Sequence, residues 1–237
     1  MRLDKFLAKC GLGSRTQVKN LIRSGQVQVD GLPAADCSLS LNPHTAQVTV
    51  AGKTVEYSEF HYLMLNKPAG TVSATRDNLH DTVLDLLPGQ YRHLKLFPVG
   101  RLDRDTQGLL LLTNDGQLAH RLLAPKKQVP KTYHALIQGQ VSDADKEAFA
   151  KGIALSDFTT LPAKLSVISA DDQSQVEVTI CEGKFHQIKR MFHALGKDVL
   201  TLKRIAMGPL TLDASLAPGE VRELTEEELA LLREWRQ

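Results

Sequence analysis

The sequence is poor in cysteine, has no long apolar run and carries almost no net charge over its 237 residues. No stretch approaches the ~20 consecutive apolar residues that a membrane-spanning helix needs, so no span is expected. Met1-Arg2-Leu3-Asp4-Lys5 lacks the apolar segment of a signal peptide, and none is expected. Cys10, Cys37 and Cys181 are scattered, and none forms a C-x-x-C pair. An odd, dispersed set fits a reducing cytoplasm better than a disulfide framework or a zinc site. There is no G-x-G-x-x-G, no Walker loop and no metal-ligand spacing, so no cofactor and no metal are expected. Repeats and low-complexity tracts are also missing. What is present is 42% hydrophobic and 24% charged, the usual mixture of a globular chain.

A formal charge of +2 says little about partners, but its distribution says more. Residues 1–25 hold six cations against one acid, Asp4. Residues 182–204 hold six cations against Glu182 and Asp198. Residues 213–237 hold seven acids against three arginines. Local basic patches on a near-neutral chain suit contacts to phosphate.

Residues 1–59 read as a separate small unit. Leu3, Phe6, Leu7 and Cys10 keep helical spacing, and Gly11 and Gly13 end that helix. Ser14, with Gln17 three residues on, opens a second helix through a capping box. Val18, Leu21 and Ile22 form its apolar stripe, and Gly25 stops it. Val27 and Val29 alternate as a strand before the turn signal Asp30-Gly31. Val48 and Val50 mark a further short strand, and a linker is expected near Thr54–Glu59. From residue 60 to 237 the pattern changes to many strands with few helices. Strands are predicted at 62–65, 109–113, 132–137, 164–169, 176–180 and 199–202. Helices are predicted at 118–123, 144–151, 185–195 and 225–234. This is the pattern of an α+β domain on a mostly antiparallel sheet, flanked by helices and loops.

The most informative stretch is Gly100-Arg101-Leu102-Asp103-Arg104-Asp105, followed by the apolar run Leu109–Leu112 and Thr113-Asn114-Asp115-Gly116. A single carboxylate, Asp103, stands between two arginines on a loop that feeds a buried strand. A carboxylate can act as nucleophile or base if neighbouring cations keep it ionised. Asp103-x-Asp105-x-x-Gly108 also copies part of a calcium loop. Gln107 at the fifth position and Asn114 at the twelfth, without flanking helices, argue against that. Asp103 and Asp105 could alternatively be a paired-carboxylate hydrolase site, sharing a face if they lie on a strand. A second constellation is Glu182-Gly-Lys-Phe-His186-Gln-Ile188-Lys189-Arg190. As a helix, it would put Ile188, Met191, Phe192 and Leu195 on one face and His186, Lys189, Arg190 and His193 on the other. The third is Lys131-Thr132-Tyr133 at the start of a strand. Tyr133 there could pack in the core or stack on a base.

Taken together, Asn66-Lys67-Pro68-x-Gly70, the Gly100–Gly116 run, Lys131-x-Tyr133 and Glu182–Arg190 resemble, in order and spacing, the pseudouridine synthases that act on ribosomal RNA. The group most resembled is the bacterial small-subunit (16S) one. The first 50 or so residues resemble the S4-like RNA-binding module, through Arg2–Leu7, Ser14-Arg15 and Gly25–Gly31. The resemblance implies an S4-like RNA-binding domain at 1–59 joined to a catalytic domain at 60–237. It implies catalytic Asp103, Tyr133 and Lys189, with Lys189 where many relatives carry arginine. Arg101, Ile188, Asn66, Lys67, His186 and Arg190 would bind substrate, and Arg2, Lys5, Arg15, Lys19 and Arg23 would bind RNA. The implied reaction isomerises one uridine, the family's uridine 516 of 16S rRNA, by base flipping and without a small-molecule cofactor. The implied partner is 16S rRNA or the small-subunit particle, with no membrane contact and the enzyme a cytoplasmic monomer. The alternatives are a 23S rRNA target, or an S4-type assembly protein without catalysis.

Overall fold

The computed structural model describes residues 1–235. Its contacts divide the chain into two compact units. The first comprises Met1–His61 together with Leu87–Phe97, and the second comprises Tyr62–Leu86 and the chain from Pro98 onward.

In the first unit, α1 (Leu3–Lys9) and α2 (Arg15–Arg23) pack beside a four-stranded antiparallel sheet. Its strands are β1 (Val27–Val29), β2 (Leu32–Pro33), β3 (Val48–Val50) and β4 (Lys53–Val55), in the order β2-β1-β3-β4. The capping box forms as the sequence predicts. The Gln17 amide donates to Ser14 Oγ, and the Ser14 amide donates to Gln17 Oε1 at 2.8 Å. Asp30 and Gly31 both take positive φ, 52° and 80°, closing the two-residue hairpin that pairs Val29 with Leu32. Leu3, Phe6, Leu7, Val18, Ile22, Val27 and Val48 are fully buried in one core. The expected linker is shorter than predicted. Thr54 and Val55 complete β4, the Tyr57 ring stacks on Phe6 at 5.5 Å, and Glu59 pairs with Lys9 at 2.7 Å.

In chain order, the remaining strands are β5 (Tyr62–Lys67), β6 (Phe97–Pro98), β7 (Gln107–Thr113), β8 (Lys131–Gln138), β9 (Lys164–Ser169), β10 (Gln173–Ile180), β11 (Asp198–Met207), β12 (Leu210–Thr211) and β13 (Val221–Glu223). The helices are α3 (Gly116–Leu123), α4 (Asp143–Lys151), α5 (Gln187–Ala194) and α6 (Glu226–Glu234). The main path of the large sheet runs β13-β5-β7-β11-β8-β10-β9, with β12 paired to β11. All these pairings are antiparallel except β7 with β11. This is the mostly antiparallel mixed sheet expected of the α+β pattern.

Sequence explains the layering. Leu109–Leu112 form a central strand, so residues on both faces are buried. β8 and β10 instead alternate buried and more exposed positions. The one parallel pairing depends on Gly108. A Cβ there would lie 2.2 Å from the Arg204 carbonyl oxygen, and its φ of +101° suits only glycine. Arg204 seals the junction from the other strand. Its side chain is buried, and Nε donates to the Leu109 carbonyl at 2.8 Å.

Candidate active site

The Asp103 loop is held by the segment that follows β5. The Ser73 hydroxyl accepts from the Leu102 amide at 3.0 Å and donates to the Leu102 carbonyl at 2.9 Å. The Gly70 amide donates to the Arg104 carbonyl at 2.8 Å. Lys67, with no exposed surface, donates from Nζ to the carbonyls of Pro68, Arg104 and Thr106 at 3.0, 3.2 and 2.9 Å. The Thr106 amide then donates to the Asp103 carbonyl at 3.1 Å, so the turn around Asp103 closes on itself. The sequence PxG after Asn66-Lys67 therefore serves as a clamp. Asn66 is buried, and its Nδ2 donates to the Leu216 carbonyl at 2.8 Å. Both were expected to bind substrate; here both are buried, Lys67 against the carbonyls of the loop and Asn66 against the Leu216 carbonyl.

α5 brings in the second half. Met191 and Phe192 are fully buried and Ile188 nearly so, anchoring the helix as its spacing predicts. The helix begins at Gln187, two residues later than expected, because His186 takes φ +49° and breaks the turn. Lys189 then projects from α5 toward the loop.

One cleft is lined by Arg101, Asp103, Tyr133, His186, Ile188 and Lys189, residues from three separate stretches of sequence. Asp103 is partly exposed in it. Lys189 Nζ lies 3.9 Å from Asp103 Oδ2, and His186 Nε2 lies 3.7 Å from Asp103 Oδ1. Tyr133 is 7% exposed and faces across the sheet from Arg204. A larger cavity, about 490 Å³, adjoins this cleft and shares Arg101, Tyr133 and Lys184 with it.

Sequence reasoning missed the role of Asp105. Its carboxylate accepts from Lys189 through both oxygens, at 2.6 and 2.7 Å, so Lys189 is bound more closely to Asp105 than to Asp103. Burial pushes the Asp105 carboxyl up, but the hydrogen bond and charge of Lys189 outweigh it and leave it below the usual carboxylate range. Burial also lowers the Lys67 ammonium to about 8, against the opposing pull of the Asp105 and Asp103 charges. The i, i+2 pair Asp103/Asp105 lies on a loop rather than a strand. Asp105 is tied to Lys189, so the two carboxylates do not flank a bond as a hydrolase pair would.

Other expected contacts are spent inside the fold. Arg190 pairs with Asp157 and lies over the Phe158 ring at 5.4 Å. Lys197 pairs with Asp145 at 2.9 Å. Three of the six cations in the run 182–204, Lys189, Arg190 and Lys197, are thus paired with acids of the fold. In the first unit, Lys5, Arg15 and Arg23 are exposed and Lys19 is half-buried. Arg2 is exposed too, but its guanidinium is held by Asp4 at 2.9 and 3.0 Å. Among the described residues no helix is long and apolar enough to cross a membrane.

Comparison with known proteins decides the family. Residues 61–194 match the family described as RNA pseudouridylate synthase, and residues 1–43 match the S4 domain. The chain belongs to the RNA pseudouridylate synthase family. An RNA pseudouridine synthase of Bacillus subtilis, described as uncharacterized, is 52% identical over 99% of both chains. The ribosomal small subunit pseudouridine synthase A of Escherichia coli is 44% identical over 97% of this chain and 99% of its own. A crystal structure described as a pseudouridylate synthase superposes with a TM-score of 0.69, at 37% identity, over 98% of this chain and 99% of that one. As a pseudouridylate synthase, the protein is an isomerase with an S4 domain at its N-terminus.

Proposed function

We propose that this protein converts one uridine of 16S rRNA to pseudouridine, at the position corresponding to uridine 516. The observation that carries this reading is the Asp103 carboxylate, partly open to the cleft, with the Lys189 ammonium 3.9 Å away and Tyr133 in the same wall. The small-subunit target is supported by the 44% identity to the Escherichia coli enzyme of that name over nearly the whole chain.

The reaction breaks the bond between ribose C1′ and uracil N1, turns the base and rejoins it through C5. A stacked uridine exposes neither face of that bond, so the base must first leave the helix. Asp103 then acts at the ribose, at C1′ or on the C2′ proton. Both routes need a carboxylate held in place and free of solvent competition. The Ser73, Gly70 and Lys67 contacts provide the rigidity. Lys189 balances the charge of Asp103, Tyr133 lies against the uracil ring, and Ile188 packs at its edge. Arg101 and His186 contact the flipped nucleotide. The S4 unit holds RNA backbone through Lys5, Arg15, Lys19 and Arg23, with Arg2 tied to Asp4. The enzyme works as a monomer in the cytoplasm.

The decisive experiment maps pseudouridine across 16S and 23S rRNA in cells with and without the gene, and again with Asp103→Asn in its place. A single 16S position should lose its modification in the deletion, regain it with the wild-type gene and remain unmodified with Asp103→Asn. A 23S position responding instead would move the target to the large subunit. Restoration by Asp103→Asn would remove the aspartate from the mechanism.

A further inference from the structure

Phe185 stands at the mouth of the cleft with 72% of its surface exposed. The proposed chemistry does not use it. An aromatic ring left in water forgoes the stabilisation that burial would contribute. The backbone explains how it is held there. His186, in the left-handed region at φ +49°, delays α5 to Gln187 and leaves Phe185 outside the helix. A non-glycine residue in that region is strained, and such strain clusters at ligand sites. The Phe185 ring lies flat against the His186 imidazole, with centroids 3.8 Å apart and planes within 16°. His186 in turn lies 3.7 Å from Asp103. The outer face of Phe185 therefore ends a short stack whose other end touches the proposed catalytic carboxylate. Phe185, His186 and Asp103 share a trough of about 400 Å³ with Arg101, Arg104 and Ser73.

An exposed flat ring beside two arginines is the chemistry that binds single-stranded nucleic acid. Bases stack on aromatic faces, and cations track the phosphates. We infer that Phe185, backed by His186, is a stacking platform for the nucleobase next to the target uridine, and so helps set which sequence context is modified. The inference rests on reading the Asp103 cleft as the pseudouridine-forming site. A purine at the neighbouring position offers more ring to stack than a pyrimidine and should be preferred.

The test uses the full-length protein and a short RNA hairpin carrying the target uridine. The neighbouring nucleotide on each side is left intact, made abasic, or replaced by 2-aminopurine. Phe185→Ala should lower kcat/KM about tenfold, mostly through KM, the size of one lost base–aromatic stack. Phe185→Trp should retain activity and Phe185→Leu should not. An abasic site on one side should cost the wild type a similar factor and cost Phe185→Ala nothing further. On that same side, 2-aminopurine should be quenched by the wild type and not by Phe185→Ala. Losses from the variant and the abasic site that multiply, or an unaffected Phe185→Ala, would overturn the inference. So would an abasic penalty equal in both proteins, which would leave Phe185 to face a protein partner. If the wild type forms no pseudouridine on the hairpin or in rRNA, the reading of the Asp103 cleft fails, and the quenching alone decides whether Phe185 stacks on a base.

Discussion

Lys67 offers the sharpest test of the loop that carries Asp103. It is a fully buried ammonium whose three hydrogen bonds all end on backbone carbonyls. Two of those carbonyls, of Arg104 and Thr106, flank Asp105. Burial depresses Lys67 from 10.5 to about 8. Below pH 8 the group is charged in both the folded and the unfolded chain, and the native state carries the full cost of burying it. Between pH 8 and 10.5 the folded chain gives up the proton first, so Lys67's contribution to native stability rises with pH and falls again as pH drops through 8. Between pH 7 and 10 this amounts to about 2.5 kcal/mol. Lys67→Met removes the titration but leaves three carbonyls without their donor, each loss costing roughly 1–3 kcal/mol before relaxation. Relief of the buried charge offsets part of that, so at pH 7 the variant should be less stable by only about 1–3 kcal/mol. Urea unfolding of both proteins at pH 7, 8, 9 and 10 measures the difference directly. The stability gap should widen by about 2.5 kcal/mol in favour of the wild type as pH rises. A gap that stays constant, or narrows, would refute the placement of a charged amine in this site.

Two further outcomes follow from the same geometry. Gly108→Ala puts a methyl 2.2 Å from the Arg204 carbonyl and forces alanine to φ +101°. Strain and overpacking together should cost about 3 kcal/mol and lower Tm by roughly 10 °C; an unchanged melting curve would contradict the close β7–β11 approach. Asp105→Asn frees Lys189 from its bidentate partner, and the ammonium should close on Asp103. The kcat should fall severalfold with KM little changed, because a cation drawn onto the Asp103 carboxylate weakens it as a nucleophile or base. An unchanged kcat would show that Asp105 does not divide Lys189 between the two acids.

The structure corrects the sequence reading at identifiable places. The sequence predicts α5 from Phe185, and the structure starts it at Gln187. The left-handed turn at His186 has no sequence signal, since histidine is not a residue that demands positive φ. The resemblance implies substrate contacts for Asn66 and Lys67, and the structure buries both. Their burial follows from the position of β5 inside a sheet, which its own residues do not announce. Gly108 was legible only as part of a motif, and its steric reason needed the partner strand.

By itself, the order of residues determined what lies within a few positions of itself. It determined the capping box at Ser14, the hairpin at Asp30-Gly31, the buried central strand Leu109–Leu112 and the apolar face of α5. These rest on local dihedral preference and periodic burial, which a short window contains. It also supplied the motif constellation that points to Asp103, Tyr133 and Lys189. Only the tertiary structure decided which charges meet. Lys189 finds Asp105 from 84 residues away, Lys197 finds Asp145, Arg190 finds Asp157, and Lys67 finds the carbonyls of Arg104 and Thr106. Ion pairing depends on ångström-scale distances set by strand register and loop path, and charge counted along a chain contains no such distances.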